Sequence, residues 1–260
     1  MLEALALGAL QGVTEWLPVS SEGVVAVVDS FAFDRPLADA LAFALWLHLG
    51  TAVSAAVVFR REFIAVIRGA HVSGPGTPTA RFLAIATLVS GLVGLPLLIG
   101  AAELSVSLGN GAMAVVGLAM LTTAAIQVRR PRPGMRTRET LTVRDAVIIG
   151  IAQGTAVLPG VSRSGVTVVA LLLRGVERRE ALVMSFVLSV PVSLGAAAYV
   201  GLTSAVTITS EALLSAFVAG AIGVATIRGF LTVASRINFA AFAGSIGLAI
   251  IAGVVAQTIK

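Results

Sequence analysis

Two stretches of the 260-residue sequence decide its fold, QGVTEWLPVSSEG at 11–23 and QGTAVLPGVSRSGVT at 153–167. Each stretch lies inside a long apolar region and interrupts it midway with Pro, Gly and Ser. Proline and small polar residues break the hydrogen-bond ladder of a helix, and at membrane depth such breaks persist only where protein or water covers them. The two stretches therefore predict two broken helical hairpins rather than two continuous spans.

The regions around these stretches repeat each other. A shift of 142 residues aligns eight identical residues within the twenty positions 8–27. The first copy contributes Gly8, Gln11, Gly12, Val19, Ser20, Gly23, Val24 and Val27, and the second has the same residue types at 150, 153, 154, 161, 162, 165, 166 and 169. Shared Gly and Val are common in so apolar a chain, but shared Gln and Ser are not, so the pattern indicates a duplicated unit.

The composition indicates that this chain lies in a membrane and not in water. Hydrophobic residues make up 57% of it and charged residues 12%, and the mean hydropathy is +1.01. A soluble domain has about 25% charged residues, so a soluble enzyme, a nucleic-acid binder and a disordered protein are excluded, and no nucleic-acid partner is expected. The absence of cysteine from the sequence excludes disulfides and thiolate-bound metals.

The apolar runs predict an all-α polytopic membrane protein. Six of them are long enough to cross about 30 Å of hydrocarbon, at 38–59, 80–101, 111–128, 180–202, 212–234 and 239–257. The expected organisation is a first repeat at 1–128, a basic cytoplasmic loop at 129–144 and a second repeat at 145–260. Each repeat consists of one broken hairpin followed by three spans.

The arginines predict the orientation of the chain. If each hairpin is re-entrant, one side of the membrane collects fourteen of them: Arg60, Arg61, Arg68, Arg81, Arg129, Arg130, Arg132, Arg136, Arg138, Arg144, Arg174, Arg178, Arg179 and Arg236. The other side holds only Arg35 and Lys260, so the side with fourteen is predicted to be cytoplasmic. This gives an inverted-topology repeat in the cell membrane, with the site where the two breaks meet. Simple spans would sort the arginines equally, so the hairpins rest on the breaks alone.

The two breaks also contain ionisable side chains, whose burial in a membrane costs free energy. Gln11 and Glu15 are four residues apart and share one helix face. Ser20, Ser21 and Glu22 are expected to lie opposite Ser162, Arg163 and Ser164. The backbone N–H groups of a half-helix starting near Ser162 to Gly165, with an arginine fork and hydroxyls, form a cradle for an anion such as phosphate.

Structural interpretations of the same residues stay open. Serine hydroxyls in membrane helices mostly bond their own backbone, and Glu15 with Arg163 could form a purely structural ion pair. Glu22 could lie in water at the outer mouth. For His48 a structural role is favoured, and Arg228 is expected to extend its charge toward the interface. Trp16 and Trp46 are interpreted as packing or interface anchors.

The two stretches resemble the signature motifs of the undecaprenyl-diphosphatase (bacitracin-resistance) family, an E/Q-x-x-x-E pair followed by LPxSSxGH, and PGxSRSGxT. LHLGT at 47–51 and SFVLSVP at 185–191 also resemble that family, so the likeness covers nearly the whole chain. The resemblance implies a membrane phosphatase of polyprenyl diphosphates with interdigitated inverted repeats and re-entrant hairpins. It also implies an outward-facing site supported by Mg²⁺ or Ca²⁺ and a homodimer.

Transferred onto this sequence, the resemblance makes Ser21 the nucleophile and Arg163 the phosphate clamp, with Glu15 as acid–base group and expected metal ligand. The remaining phosphate-binding residues are then Gln11, Ser20, Gln153, Ser162, Ser164, Gly165 and Thr167. Three departures stand out. Val24 replaces the histidine of the first motif, Glu22 replaces a small residue, and FAGSIG at 242–247 replaces a Tyr-Arg pair.

The sequence thus predicts hydrolysis of a membrane polyprenyl diphosphate to its monophosphate, which recycles a glycan carrier lipid. Glu15 or Glu22 would handle the proton that the missing histidine would carry. The alternative is a lipid-phosphate transporter or flippase of the same fold that does not hydrolyse its lipid. A carrier of small ions using Glu15 and Arg163 is a third, weaker interpretation.

Overall fold

A computed structural model describes residues 1–71, 77–108, 111–128, 134–203, 205–233 and 239–258. Every regular element in these residues is helical. The α-helices are α1 (Leu2–Thr14), α2 (Ser21–Phe33), α3 (Leu37–Val58), α4 (Arg60–His71), α5 (Thr77–Leu108), α6 (Gly111–Val128), α7 (Val143–Thr155), α8 (Arg163–Leu173), α9 (Arg178–Leu202), α10 (Ser210–Val233) and α11 (Phe239–Thr258). One 3₁₀ turn, Arg138–Thr140, precedes α7.

Long apolar helices confirm the coarse prediction of an all-helical, multi-pass membrane protein. Within the described residues, five are long and apolar enough to cross a membrane: α3, Pro78–Ala101 of α5, α6, α9 and Ser210–Thr232 of α10. They coincide with five of the six predicted spans. The sixth, 239–257, coincides with α11, whose described apolar part, Ala243–Val255, is shorter. The number six therefore stays a prediction.

Both predicted breaks are present. The chain leaves helical structure after Thr14 and resumes it at Ser21, and it does so again between Thr155 and Arg163. Each break is therefore followed by a short helix, and that helix packs against the one before the break. We call the two breaks, residues 15–20 and 156–162, the first and second tips.

The same cap starts the helix after each tip. The Ser20 hydroxyl accepts a hydrogen bond from the backbone N–H of Gly23 at 3.1 Å, and the Ser162 hydroxyl accepts one from Gly165 at 3.1 Å. A serine N-cap satisfies a backbone donor that has no partner within the helix. The serine and glycine shared by the two copies of the repeat thus form the same N-cap at the start of α2 and at the start of α8.

The two halves of the chain are interleaved. α1 packs against α10, and its counterpart α7 packs against α5. α3 packs against its own counterpart α9, and α6 packs against α11. Neither half could therefore bury its helices without the other.

Duplicated glycines permit this interleaving. A Cβ on Gly12 would lie 2.7 Å from the carbonyl oxygen of Ala219 on α10, and one on Gly154 would lie 3.0 Å from that of Ser90 on α5. Contacts this close exclude any side chain, and small residues allow such backbone approach where no hydrophobic force drives helices together. Gly12 and Gly154 are therefore crossing points between the halves.

The corresponding helices α3 and α9 run antiparallel. Trp46, in the middle of α3, lies beside Gly201 near the end of α9. Phe59, just after α3, lies 6.1 Å from Phe186 near the start of α9, measured between ring centroids. Residue numbers thus rise along one helix as they fall along the other.

Helix α4 was not expected from the sequence. Its twelve residues, Arg60–His71, are too short and too charged to be a span. Arg60 and Arg61 are exposed, while Phe63 and Val66 pack against the core. An amphipathic helix of this kind lies along a surface. Of the other predicted loop charges, Arg129, Arg130, Arg132, Arg236 and Lys260 lie outside the described residues.

Asp145 joins the loop before α7 to the turn after α8. Its buried carboxylate accepts hydrogen bonds from Arg136 Nη2 at 2.8 Å, Arg174 Nε at 2.6 Å and the Thr142 hydroxyl at 2.8 Å. Burial opposes ionisation of this carboxyl, but donors from Arg136, Thr142 and Arg174 outweigh it and hold the pKa of Asp145 below its ordinary value of 3.8. The carboxylate therefore contributes to stability in its ionised form.

We expect Asp145→Asn to lower the free energy of unfolding by about 2–3 kcal/mol, because two arginines lose their common anionic partner and one of its two acceptor oxygens becomes an NH₂ donor. Thermal unfolding of the purified protein in detergent measures this loss. Since the folded-state pKa is depressed, the contribution is complete above pH 3.8 and disappears as the pH falls toward the lower folded pKa. The control is Glu139→Gln at an exposed position, and equal midpoints for the two variants would contradict the assignment.

Candidate active site

The two tips meet inside the protein and enclose a small polar pocket. Its lining residues are Glu15, Val19, Ser20, Ser21, Glu22, His48, Ala156, Val161, Arg163 and Ser164. The enclosed volume is about 30 Å³, enough for one or two water molecules. Ser21 and Arg163 are the first residues of α2 and α8, so the N-termini of two helices adjoin the pocket.

Glu15 is the centre of the hydrogen-bond network. Its side chain is 2% exposed, and its Oε1 pairs with Nη2 of Arg163. Its Oε2 accepts hydrogen bonds from Gln11 Nε2 and Ser21 Oγ, both at 2.8 Å. The four-residue spacing of Gln11 and Glu15 thus places the two side chains together as predicted. These donors compensate the cost of burying a carboxylate.

Ser21 has the environment of a nucleophilic hydroxyl. It is buried at the start of α2, and its Oγ donates to a carboxylate that can take the proton. Contact between a hydroxyl and an adjacent base is the structural signature of a serine activated for attack. Ser21 also lines the pocket, so a reacting phosphorus there would meet this oxygen.

Arg163 connects the second tip to the first. Besides its pairing with Glu15, its Nη1 donates to the Ser185 carbonyl at 3.4 Å. A guanidinium has five N–H donors in a planar fork, so donors remain for a phosphate oxygen in the pocket. The predicted meeting of the two stretches is therefore realised by one ion pair.

His48 enters the pocket from α3. Its Nδ1 lies 2.8 Å from the Ala44 carbonyl oxygen, one turn earlier in the helix. Its Nε2 lies 3.3 Å from Oε2 of Glu15, the same oxygen that accepts from Ser21. The sequence analysis favoured a structural role for this histidine. An ionisable residue inside a span is by default a functional candidate, and that signal was available in LHLGT.

Glu22 is buried as well, with 8% of its surface exposed, so it does not lie in water at an outer mouth. It lines the pocket on the side of α2. Within the described residues it has no hydrogen-bond or ion-pair partner, in contrast to Glu15. Of the two carboxylates it is Glu15, and not Glu22, that accepts the hydrogen bond of the Ser21 hydroxyl.

Other predicted phosphate-binding residues hold the tips together. Ser20 Oγ also accepts from the backbone N–H of Gly160 at 3.1 Å, and Ser164 Oγ donates to the Leu17 carbonyl at 3.0 Å. Gly160 has φ +93°, a left-handed conformation that favours glycine. Each tip is thus hydrogen-bonded to the other. Ser20 and Ser164 also line the pocket.

The remaining predicted residues lie beside the pocket rather than in its lining. Ser162 and Gly165 form the cap of α8. Thr167 Oγ1 donates to the Arg163 carbonyl at 2.7 Å, and Gln153 Nε2 donates to Ser90 Oγ at 3.0 Å. These contacts stabilise α8 at its start and tie α7 to α5.

One supporting residue was not predicted at all. Thr123 of α6 accepts from the Ser162 backbone N–H and donates to the Gly160 carbonyl, both at 3.2 Å. Thr123 thus anchors the second tip to α6, a helix that contains none of the sequence motifs. No local pattern marks such a residue, because only the packing of α6 brings it to the tip.

The fold and the site together define a helical membrane protein with a buried, charge-paired polar pocket between two broken helices. A sequence profile described as bacitracin resistance protein BacA matches residues 4–255, and the chain belongs to that family. A protein of Methanococcoides burtonii named undecaprenyl-diphosphatase is 38% identical over 247 residues, covering 92% of this chain and 93% of that protein. Proteins with the same name from Methanopyrus kandleri and Haloarcula marismortui are 34% and 40% identical, covering 91% and 75% of this chain and 90% and 75% of theirs.

Arg163→Ala should lower the free energy of unfolding by about 3–5 kcal/mol, because the Glu15 carboxylate then remains buried without the guanidinium that pairs with it. Adding Glu15→Gln should recover part of this loss, since the buried charge is removed too. Thermal unfolding of the single and double variants measures the coupling. Arg228→Ala, at an exposed position on α10, is the control. Additive losses from Arg163→Ala and Glu15→Gln would show that the two charges do not interact.

Proposed function

We propose that this protein hydrolyses the diphosphate of a membrane polyprenyl lipid of the undecaprenyl type. The reaction releases orthophosphate and regenerates the polyprenyl monophosphate that carries glycan units. Membership of the family and the shared name of the relatives support this activity. The observation that carries the mechanism is the contact of the Ser21 hydroxyl with Glu15, which is itself paired with Arg163.

In this mechanism Ser21 Oγ attacks the terminal phosphorus of the lipid diphosphate. Glu15 Oε2 takes the hydroxyl proton, because that oxygen already accepts the Ser21 hydrogen bond. Arg163 binds the oxygens of the transferred phosphoryl group and stabilises the charge that develops on them. The N-termini of α2 and α8 add partial positive charge at the same place.

Positioning is assigned to the residues that join the tips. Ser20 and Ser164 keep the two half-helices at a fixed separation. Gln11 holds Oε2 of Glu15 toward Ser21. The isoprenoid tail remains in the surrounding lipid between helices, which is the reason that such a phosphatase needs a membrane fold.

A resident divalent ion does not fit the residues present. The family resemblance implies Mg²⁺ or Ca²⁺ with Glu15 as ligand, but both oxygens of Glu15 already have partners, one of them a guanidinium. Within the described residues no group of three or more His, Asp or Glu side chains could hold a metal. A divalent ion that enters the pocket bound to the substrate diphosphate agrees with these residues. None of the steps described above requires this ion.

The finer architecture is part of the proposal. We assign six spans and two re-entrant hairpins in an inverted-topology repeat, with the site open to the outside of the cell membrane and two chains forming a homodimer. The antiparallel pairing of α3 with α9 and the exchange of α1 and α7 between the halves support the inversion. The arginine asymmetry of the sequence supports the orientation.

Transport of a lipid phosphate without hydrolysis is the second candidate function. The observation that favours it is the pairing of broken helices from two antiparallel halves, an architecture that transporters also use. Vesicles containing the purified protein distinguish the two. A flippase exchanges labelled lipid phosphate across the bilayer and releases no orthophosphate, whereas the proposed phosphatase releases orthophosphate.

Ser21→Ala is expected to lower the rate of orthophosphate release from farnesyl and longer prenyl diphosphates at least about a thousandfold, because the attacking oxygen is removed. The assay uses purified protein in detergent. Ser30→Ala changes a serine later in the same helix and should retain the wild-type rate. Full activity of Ser21→Ala would eliminate serine attack, and no release by the wild type would eliminate the proposed reaction.

A further inference from the structure

His48 has one ring nitrogen fixed and the other free for proton transfer. A carbonyl oxygen only accepts hydrogen bonds, so the 2.8 Å contact with the Ala44 carbonyl requires the hydrogen of the neutral ring to sit on Nδ1. The basic nitrogen of the neutral imidazole is then Nε2. That atom faces Glu15 Oε2 at 3.3 Å.

Glu15 by itself is a poor final acceptor for the proton of Ser21. Its carboxylate pairs with Arg163 and accepts from Gln11 and Ser21. Each of these contacts favours the ionised form. A proton that remained on Glu15 would weaken the pairing with Arg163 at the moment when Arg163 is needed by the phosphoryl group. The proton therefore has to move on.

We infer that His48, acting through Glu15, is the proton acceptor of this site and fulfils the task of the histidine that Val24 replaces in the first motif. This inference rests on the proposed phosphatase function. The juxtaposition that carries it is the single oxygen, Glu15 Oε2, which contacts both Ser21 Oγ and His48 Nε2.

The step balances without a further reactant. The bond between Ser21 Oγ and the terminal phosphorus forms as the bond from that phosphorus to the bridging oxygen breaks, and the electron pair of the broken bond leaves with the lipid monophosphate. The hydroxyl proton passes by way of Glu15 Oε2 to His48 Nε2. Water then attacks the phosphoserine, the bond between phosphorus and Oγ breaks, and Oγ regains the proton from His48. Both hydrogens of the water leave with orthophosphate.

The charged and titratable groups around His48 come from three other helices or their ends. Glu15 follows α1, Glu22 lies in α2 and Arg163 begins α8, and all three line the same pocket as His48. Glu15 and Glu22 are also able to take up a proton. The test therefore changes only the imidazole and leaves both carboxylates in place.

The test compares His48→Gln and His48→Asn with the wild type. Glutamine keeps a donor able to reach Glu15, and asparagine keeps one able to reach the Ala44 carbonyl, but neither can carry a proton. The control is His71→Gln, because residue 71 is the only other histidine of the sequence. Orthophosphate release from farnesyl diphosphate is measured over a range of substrate concentrations, which gives kcat and KM separately, and thermal unfolding verifies that each variant is folded.

Both His48 variants should lower kcat about a hundredfold or more, which is the usual contribution of acid–base catalysis. KM should change less than about threefold. His71→Gln should match the wild type. A folded His48→Gln with wild-type kcat would overturn the inference and leave the phosphatase proposal standing. If the wild type releases no orthophosphate, the proposed function itself fails.

Discussion

The buried ion pair between Glu15 and Arg163 is the constraint on which the rest of the structure depends. Neither charge is tolerable alone in an apolar interior, so the first tip is stable only where the second tip supplies a cation. The pairing brings Ser21, beside Glu15, to the helix N-terminus that Arg163 begins. The contact that compensates the cost of burial thus also brings together the three residues to which the proposed mechanism assigns the roles of nucleophile, base and anion clamp.

The duplication explains how a membrane fold can hold this pair. Two copies of one broken element meet tip to tip, each with a serine cap and each crossed closely through glycine by a helix of the other half. The copies then diverge where chemistry requires it. At equivalent positions the first copy has Glu15 and Ser21 and the second has Val157 and Arg163, so one scaffold supplies opposite charges to a single pocket.

The fold and the ion pair could be predicted from the sequence because they follow from apolar length, from the breaks and from scarce charge. Roles within the site were harder to predict. A serine hydroxyl looks the same in sequence whether it binds phosphate or, like Ser164, bonds the opposite tip. The contact of His48 with Glu15 depends on the packing of α3. Helix α4 resembles a basic loop in sequence because four of its twelve residues are charged, three of them arginines.

The proposed reaction takes place in the pocket between the two tips. The most direct measurement is a structure of the protein with a non-hydrolysable prenyl methylene-diphosphonate. If Ser21 attacks the terminal phosphorus, the terminal phosphonate lies between the tips, within about 3.5 Å of both Ser21 Oγ and the Arg163 guanidinium. A headgroup bound elsewhere, with Arg163 paired to Glu15 and not to the phosphonate, would exclude this mechanism.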